Sequence, residues 1–490
     1  MNAGRVLATS TSYNVVSEVT RDTVMRTRDM LELFELGRIV GTERQRNGST
    51  EMLGAVVRAC SDEQEHLAGA LALAGGVFVA TQNKQAQRVC NDLVRRQNGS
   101  GGSSMLRVWT ELAPFMKLPN IHTVVAEAER MCDVSVLGKL APYVNKQSVD
   151  RVACAVHAAA VEVLLRMEMG VSSLEDAHSV VHAAASVAQH LVDGTDRGLD
   201  RVWTLVADTL ACTHWASVCT TTDFVQTVDV GRAGTEDYRR ACTALVSYAQ
   251  RQSNERTDAM VHSVFALQPC LRFLPRSSVR VGRGREGAVL LYMDLLEHVT
   301  GQLAARTVNA LVMPMAARYV ERVVDRDWFE SAHALVLSVL DAGHAEVAPW
   351  YARVVLALYP QSINMDLLGI SFTAAVRALA HNGSSGLACN CVDLLIARID
   401  EYAGNGVERG ERWRELLCVL ASQVASVPLE LLSFVMTSID ERVDAEPLCA
   451  TRRNVVSHVQ DTVLESAELA RRPALASWVW RMRARVDARL

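Results

Sequence analysis

Three glycines, Gly282, Gly284 and Gly287, stand in the GxGxxG spacing that lets a backbone turn tightly under a pyrophosphate. The segment after them, Ala288 to Val299, reads as a helix whose amino end could hold the anion. A dinucleotide fold also needs a buried strand before the glycines and an acidic residue roughly 20 positions beyond them. Ser277 to Val281 is polar and no strand–helix alternation follows, so the glycines read as part of a flexible basic loop, Pro275 to Gly287. His178 and His182 lie one helical turn apart, with Cys154 and His157 on the preceding helix, a set of ligands zinc would accept. No CxxC or HExxH accompanies them, and histidines beside apolar stripes are ordinarily satisfied by backbone or solvent, so no metal is expected. Cys389 and Cys391 would point apart on a helix and read as packing. Glu168, Glu175 and Asp176 could form an acid–base cluster, but carboxylates at helix ends read as caps or solvated faces. With no GxSxG, P-loop or ordered Cys–His pattern, no catalytic residue and no cofactor are assigned, and the chain reads as a non-enzyme.

The elements that carry these residues are helices. Val149, Val152, Ala153, Val156, Ala160, Val163, Leu164 and Met167 recur at steps of three and four, as do Ala177, Val180, Val181, Ala184, Ala188, Leu191 and Val192. Gly170 and Val171 separate the two stripes, and Ser172 with Glu175 makes a capping box, so Ser148 to Met169 and Ser172 to Asp193 are expected to pack antiparallel. Similar pairs follow at a pitch of about 40 residues, Ala304 to Val324 with Trp328 to Leu340 and Asp366 to Ala380 with Leu387 to Tyr402. The fold class is all-α, an irregular α-solenoid of the HEAT or armadillo type, with helix in more than half of all residues. Polar glycine-rich stretches at Gln97 to Ser104 and Pro275 to Gly287 suggest three regions: 1–104, 105–275, and 288–490 with a terminal capping helix.

Composition narrows the class. A 49% hydrophobic, 21% charged chain folds, and a net charge of −5 provides no basic field for nucleic acid. Twelve cysteines scattered singly inside helical patterns behave as small hydrophobes and fit a reducing compartment. Asn98 and Asn382 head glycosylation sequons, which would matter only in a secretory compartment. The longest apolar run, Ala68 to Ala80, is too short to span a bilayer and contains Gly75 and Gly76. No secretory signal is read in Met1 to Thr20.

The carboxyl end is the most informative segment. Arg471, Arg472, Arg481, Arg483, Arg485 and Arg489 surround Trp478 and Trp480, with Asp487 as the single acid among the last twenty residues. Such a helix either caps the array or lies on a membrane surface, and the cap is the expectation. Trp478, Trp480, Arg481 and Arg483 are candidate interaction residues. Ala488, Arg489 and Leu490 form a variant of the Ser-Lys-Leu peroxisomal address, which a cargo receptor reads by holding the terminal carboxylate and leucine together. The final helix is therefore expected to stop short of these residues and leave them exposed.

Ala474 to Trp480 (ALASWVW) followed by Ala488-Arg489-Leu490, on an irregular helical array, resembles the fungal peroxin-8 family, with weaker likeness over Pro428 to Val443. The likeness implies a peripheral protein on the matrix side of the peroxisomal membrane, a scaffold joining the docking and ubiquitin-ligase complexes and assisting cargo-receptor release. It implies the cargo receptor and import-complex proteins as partners. The alternatives are a cytosolic or viral helical adaptor with an accidental ending, or an all-helical peroxisomal enzyme.

Overall fold

The computed structural model describes residues 30–43, 64–82, 84–96, 102–115, 121–131, 133–144, 146–168, 174–192, 194, 198–223, 230–267, 283–323, 326–403, 407–446, 449–466 and 471–488. Of these, 87% are helical and none lies in a strand, as the helical periodicity predicts. They divide into two compact units, one within Met1–Gln252, Ala259–Cys270 and Leu274–Leu291, the other within Ser253–Asp258, Leu271–Phe273 and Tyr292–Leu490. The expected borders fall largely outside the described residues, though helix already begins at Gly102 and at Arg283.

The first unit opens on α1 (Met30–Glu43) and α2 (Gln64–Thr81). The run read as too short for a membrane span is the middle of α2, buried continuously from Leu67 to Phe78. A helix apolar on all sides has to be enclosed on all sides. Glycine makes that possible: a Cβ on Gly76 would lie 1.9 Å from the Phe34 carbonyl oxygen, and one on Gly37 would lie 2.1 Å from that of Leu73. The pairing 34 to 76 and 37 to 73 makes α1 and α2 antiparallel.

Next come α3 (Lys84–Arg96), α4 (Gly102–Leu112), α5 (Ile121–Arg130), α6 (Val134–Leu140), α7 (Lys146–Glu168), α8 (Leu174–Val192), α9 (Leu199–Asp223) and α10 (Val230–Gln250). Asp133 caps α6, its carboxylate accepting from the Val136 amide at 3.1 Å. Hydrogen bonds between helices give the register. Trp203 Nε1 donates to Leu245 O at 2.9 Å and Tyr248 to Asp200 at 2.7 Å, so α9 and α10 run antiparallel. Arg201 reaches Asp150 at 3.3 Å while His157 meets Asp208 at 2.6 Å, so α7 and α9 run parallel. His182 meets Asp237, and Arg251, just after α10, donates to Leu191 O, which makes α8 and α10 parallel as well. Helices α7 to α10 thus pack each on the next but one, the two-layer arrangement of a solenoid. The expected pair of α7 and α8 is present; Ser172 of its capping box lies outside the described residues.

Then follow α11 (Asn254–Leu267) and α12 (Arg283–Glu297). Within the second unit the expected helix from Ala304 to Val324 is not continuous: α-helix at Ala305–Thr307 passes into a π-helical turn, Val308–Val312, and stops at Ala316. Pro314 accounts for the π-helical turn, since it has no amide to donate and its ring crowds the carbonyl four residues back. The array resumes with α13 (Arg326–Asp341), α14 (Ala348–Leu358), α15 (Met365–His381), α16 (Ser385–Tyr402), α17 (Val407–Gln423), α18 (Leu429–Ala445), α19 (Cys449–Ser466) and α20 (Arg472–Ala488). Here α14 to α17 pack on α16 to α19 in the same two-layer way, each on the next but one. Helix α13 ends in a Schellman motif with Gly343 at φ +92°, the His344 amide bonding Val339 O and the Gly343 amide bonding Leu340 O. Gly383 repeats the device after α15, and Asn364 caps the start of α15 by accepting from the Leu367 amide at 2.9 Å.

Candidate interaction site

Helix α20 forms because Leu475, Trp478, Val479, Met482 and Val486 recur on one face, and all five are buried. Its place is fixed by two bonds to one carboxylate on α18: Trp478 Nε1 donates to Asp440 Oδ2 at 3.2 Å and Arg485 Nη2 to Asp440 Oδ1 at 2.5 Å. Arg483 donates to Gln460 Oε1 on α19 at 3.1 Å, and Arg471 to the Val427 carbonyl at 2.7 Å. The two tryptophans therefore part company. Trp478 is an anchor at 3% exposure, whereas Trp480 is 78% exposed, the most exposed large apolar side chain among the described residues. Arg481 is exposed beside it. Asp440→Ala is expected to lower stability by about 1–2 kcal/mol in urea melts, because it strands a buried indole N–H and a guanidinium together. Trp480→Ala should stay within about 0.5 kcal/mol of the parent.

The expected early stop of this helix is not seen. Helical backbone continues through Ala488, which is exposed, because no glycine or proline interrupts 474–488 and Arg485 is held by Asp440 in the last turn. Arg489 and Leu490 lie outside the described residues.

The other sequence candidates are separated. His157 of α7 pairs with the buried Asp208 of α9, while His182 of α8 pairs at 2.8 Å with Asp237 of α10, so the imagined zinc ligands engage carboxylates on two different helices. Burial would raise the Asp237 carboxyl, but hydrogen bonds from His182 and Arg240 outweigh it and hold the group below its ordinary value. Among the described residues no cluster of three metal-ligating side chains occurs. Gly284 and Gly287 lie inside α12, which begins at Arg283, so this part of the expected loop is helix; Gly282 lies outside the described residues. Cys391 is buried and Cys389 reaches Asp393 of its own helix, so the two thiols take different surroundings. The side chains of Glu168 and Glu175 lie outside the described set, and Asp176 is exposed.

One polar chain that the sequence does not announce is sealed inside the second unit. His333 Nδ1 lies 2.7 Å from Tyr351 Oη, Tyr351 Oη lies 3.0 Å from Ser371 Oγ, and His333 Nε2 lies 3.2 Å from the Val320 carbonyl. All three residues are at most 2% exposed, so the array can hold helices together but cannot meet a substrate. With the buried imidazole neutral, the carbonyl's inability to donate orders the chain: Nε2–H gives to Val320, Nδ1 accepts from Tyr351, and Tyr351 accepts from Ser371.

Residues 268–341 match the family described as the PEX8 central TPR-like domain. No curated protein matches the chain. Among solved structures the chain is similar to importin beta crystallised in an ammonium sulfate condition, at 11% identity over 98% of this chain and 68% of that one, with a TM-score of 0.31. It is likewise similar to the SYS-1/POP-1 complex, at 10% identity over 96% of this chain and 88% of that one, again with a TM-score of 0.31. The alternate-helix packing carries the solenoid assignment. No helix among the described residues is long and apolar enough to cross a membrane.

Proposed function

From the premise of the peroxin-8 family assignment, which the central-domain match supports over residues 268–341, we propose that this chain is a non-enzymatic scaffold of peroxisomal matrix-protein import. In this reading it works from the matrix side as a peripheral protein, joins the docking and ubiquitin-ligase complexes, and assists release of cargo receptors. The domain match is the single observation that carries the role in import. The solenoid supports the scaffold part, because stacked helix pairs present long continuous surfaces to partner proteins. Trp480 with Arg481, and Arg483 beside them, form the exposed side of the terminal helix and are assigned to partner or membrane-surface contact. Trp478 belongs to the cap instead, since its indole is buried against α18. Ala488, Arg489 and Leu490 are assigned as the address read by the cargo receptor.

The test is localisation of the full-length chain with its tag kept off the carboxyl end, followed by purification of what associates with it. Peroxisomal localisation, with docking and ubiquitin-ligase components recovered, is expected. Cytosolic localisation without any import component would overturn the reading. Removal of Leu490 is expected to abolish binding to the purified cargo receptor and to leave the unfolding midpoint unchanged; retained binding would remove the address from the proposal.

A further inference from the structure

On one face of the second unit, α15, α17 and α19 leave an open groove of about 580 Å³. Its centre is apolar: Ile370, 60% exposed, stands on α15 opposite Val419 of α17, and Gly369 keeps the α15 wall low, with its Cβ position 4.0 Å from the Val419 side chain. His458 of α19 closes the side.

The polar groups around that centre are arranged in a definite way. Gln423 is fully buried, and its amide nitrogen donates to Thr373 Oγ1 at 2.9 Å and to the Val419 carbonyl at 3.0 Å, with Ser422 Oγ at 3.1 Å. The amide cannot be turned round, because a carbonyl must receive a proton and not face another oxygen. Its own oxygen is left without a hydrogen-bond partner. Thr373 therefore receives a bond and keeps its hydroxyl proton to give, whereas Ser422 spends its proton on Val419 O at 2.7 Å and keeps a lone pair to accept. Both residues line the groove. One donor and one acceptor side by side match the C=O and N–H of a polypeptide backbone.

Charge gives the groove two unlike ends. Asp366 and Arg377 line it at opposite ends of α15. Eleven residues of helix separate them, about 16 Å, the span of about five residues of extended chain. We propose that this groove binds an extended segment of a partner protein, with a large aliphatic side chain seated against Ile370 and Val419, a basic residue at the Asp366 end and an acidic residue at the Arg377 end. Acidic and basic side chains at the two ends orient the segment, and the aliphatic side chain supplies most of the affinity. The inference stands apart from the import reading, since it uses only this groove.

The experiment uses the full-length protein and fluorescein-labelled octapeptides with Leu at positions 4 and 5, with Lys and Glu at positions 2 and 7 in either order, and with Ser elsewhere. One order is expected to bind with Kd of about 10–100 µM and the other at least about tenfold more weakly. The double variant Asp366→Lys, Arg377→Glu should reverse that preference, and Ile370→Ser should weaken both orders at least about tenfold. All three positions are on the surface of α15, and unchanged circular dichroism would show that the variants fold. Binding by neither order below about 1 mM overturns the proposal. So does a preference that survives the charge swap, because the peptides then bind elsewhere.

Discussion

Gly76→Val is expected to cost the first unit more than about 3 kcal/mol and to remove much of its unfolding transition, because it forces apart two helices whose backbones touch. The atom that a Cβ at Gly76 would strike is the Phe34 carbonyl oxygen, at 1.9 Å, with the Arg38 amide nitrogen at 2.8 Å. Neither can rotate away as a side-chain tip could. Since α2 is buried along most of its length, displacing it from α1 opens apolar surface on both. Gly75 supplies the internal control. A Cβ there would meet the Leu112 methyls at 3.1 Å and the Phe34 ring at 3.3 Å, flexible groups that can yield, so Gly75→Ala should cost only about 1 kcal/mol. Urea melts followed by circular dichroism measure both variants, and equal costs at the two positions would show that the close backbone approach is not what stabilises this hairpin.

These neighbouring glycines illustrate what a sequence read alone can and cannot reveal. The stripes over 148–193 were legible because each repeats at 3.6 residues and needs no knowledge of its partner. The run at 68–80 has no stripe to read: its apolar length excluded a membrane span, but the reason for Gly76 resides in α1, some forty residues earlier in the chain. Trp478 and Trp480 stand two positions apart in a basic helix. The stripe of Leu475, Trp478, Val479, Met482 and Val486 turns the first inward and the second outward, and what the sequence does not show is that Asp440 on α18 receives the buried indole N–H. The histidines near Cys154 invited a metal reading because i and i+4 share a helix face, yet parallel packing on the next helix but one gives His157 and His182 separate carboxylates, 51 and 55 residues away. Pro314 is the counter-example, because the π-helical turn it makes in the helix after Ala304 could have been read directly from its missing amide. The groove at Ile370 left no linear trace, since its polar residues on α15 and α17 are joined by Gln423 across 50 residues.

Acidification should destabilise the second unit through His333 by about 3 kcal/mol between pH 6.5 and pH 4. Burial lowers the pKa of this imidazole from 6.5 to about 4, against a smaller raising effect of its bond to the Val320 carbonyl. The folded protein therefore keeps His333 neutral in a range where the unfolded chain takes up a proton. The resulting contribution is fully present above pH 6.5, where both states are neutral, and is lost as the pH falls through the folded value near 4. A displacement of about 2.5 units is worth about 3 kcal/mol at 1.36 kcal/mol per unit. Protonation would also reverse the direction of the polar chain, since Nδ1 could no longer accept from Tyr351, whose hydroxyl burial holds well above the ordinary tyrosine range. Ser371 would then face an oxygen that has lost its own acceptor. His333→Gln keeps a donor for Val320 and an acceptor for Tyr351 but cannot titrate in this range, so it is the informative variant. Stability measured in urea from pH 7.5 to pH 4 should fall more steeply for the parent than for His333→Gln, the two curves diverging by about 3 kcal/mol at the acid end. Carboxylates elsewhere contribute equally to both proteins and cancel in the difference. Parallel curves would mean that His333 is hydrated or already charged in the folded state, and the sealed hydrogen-bond chain from Val320 to Ser371 would have to be abandoned.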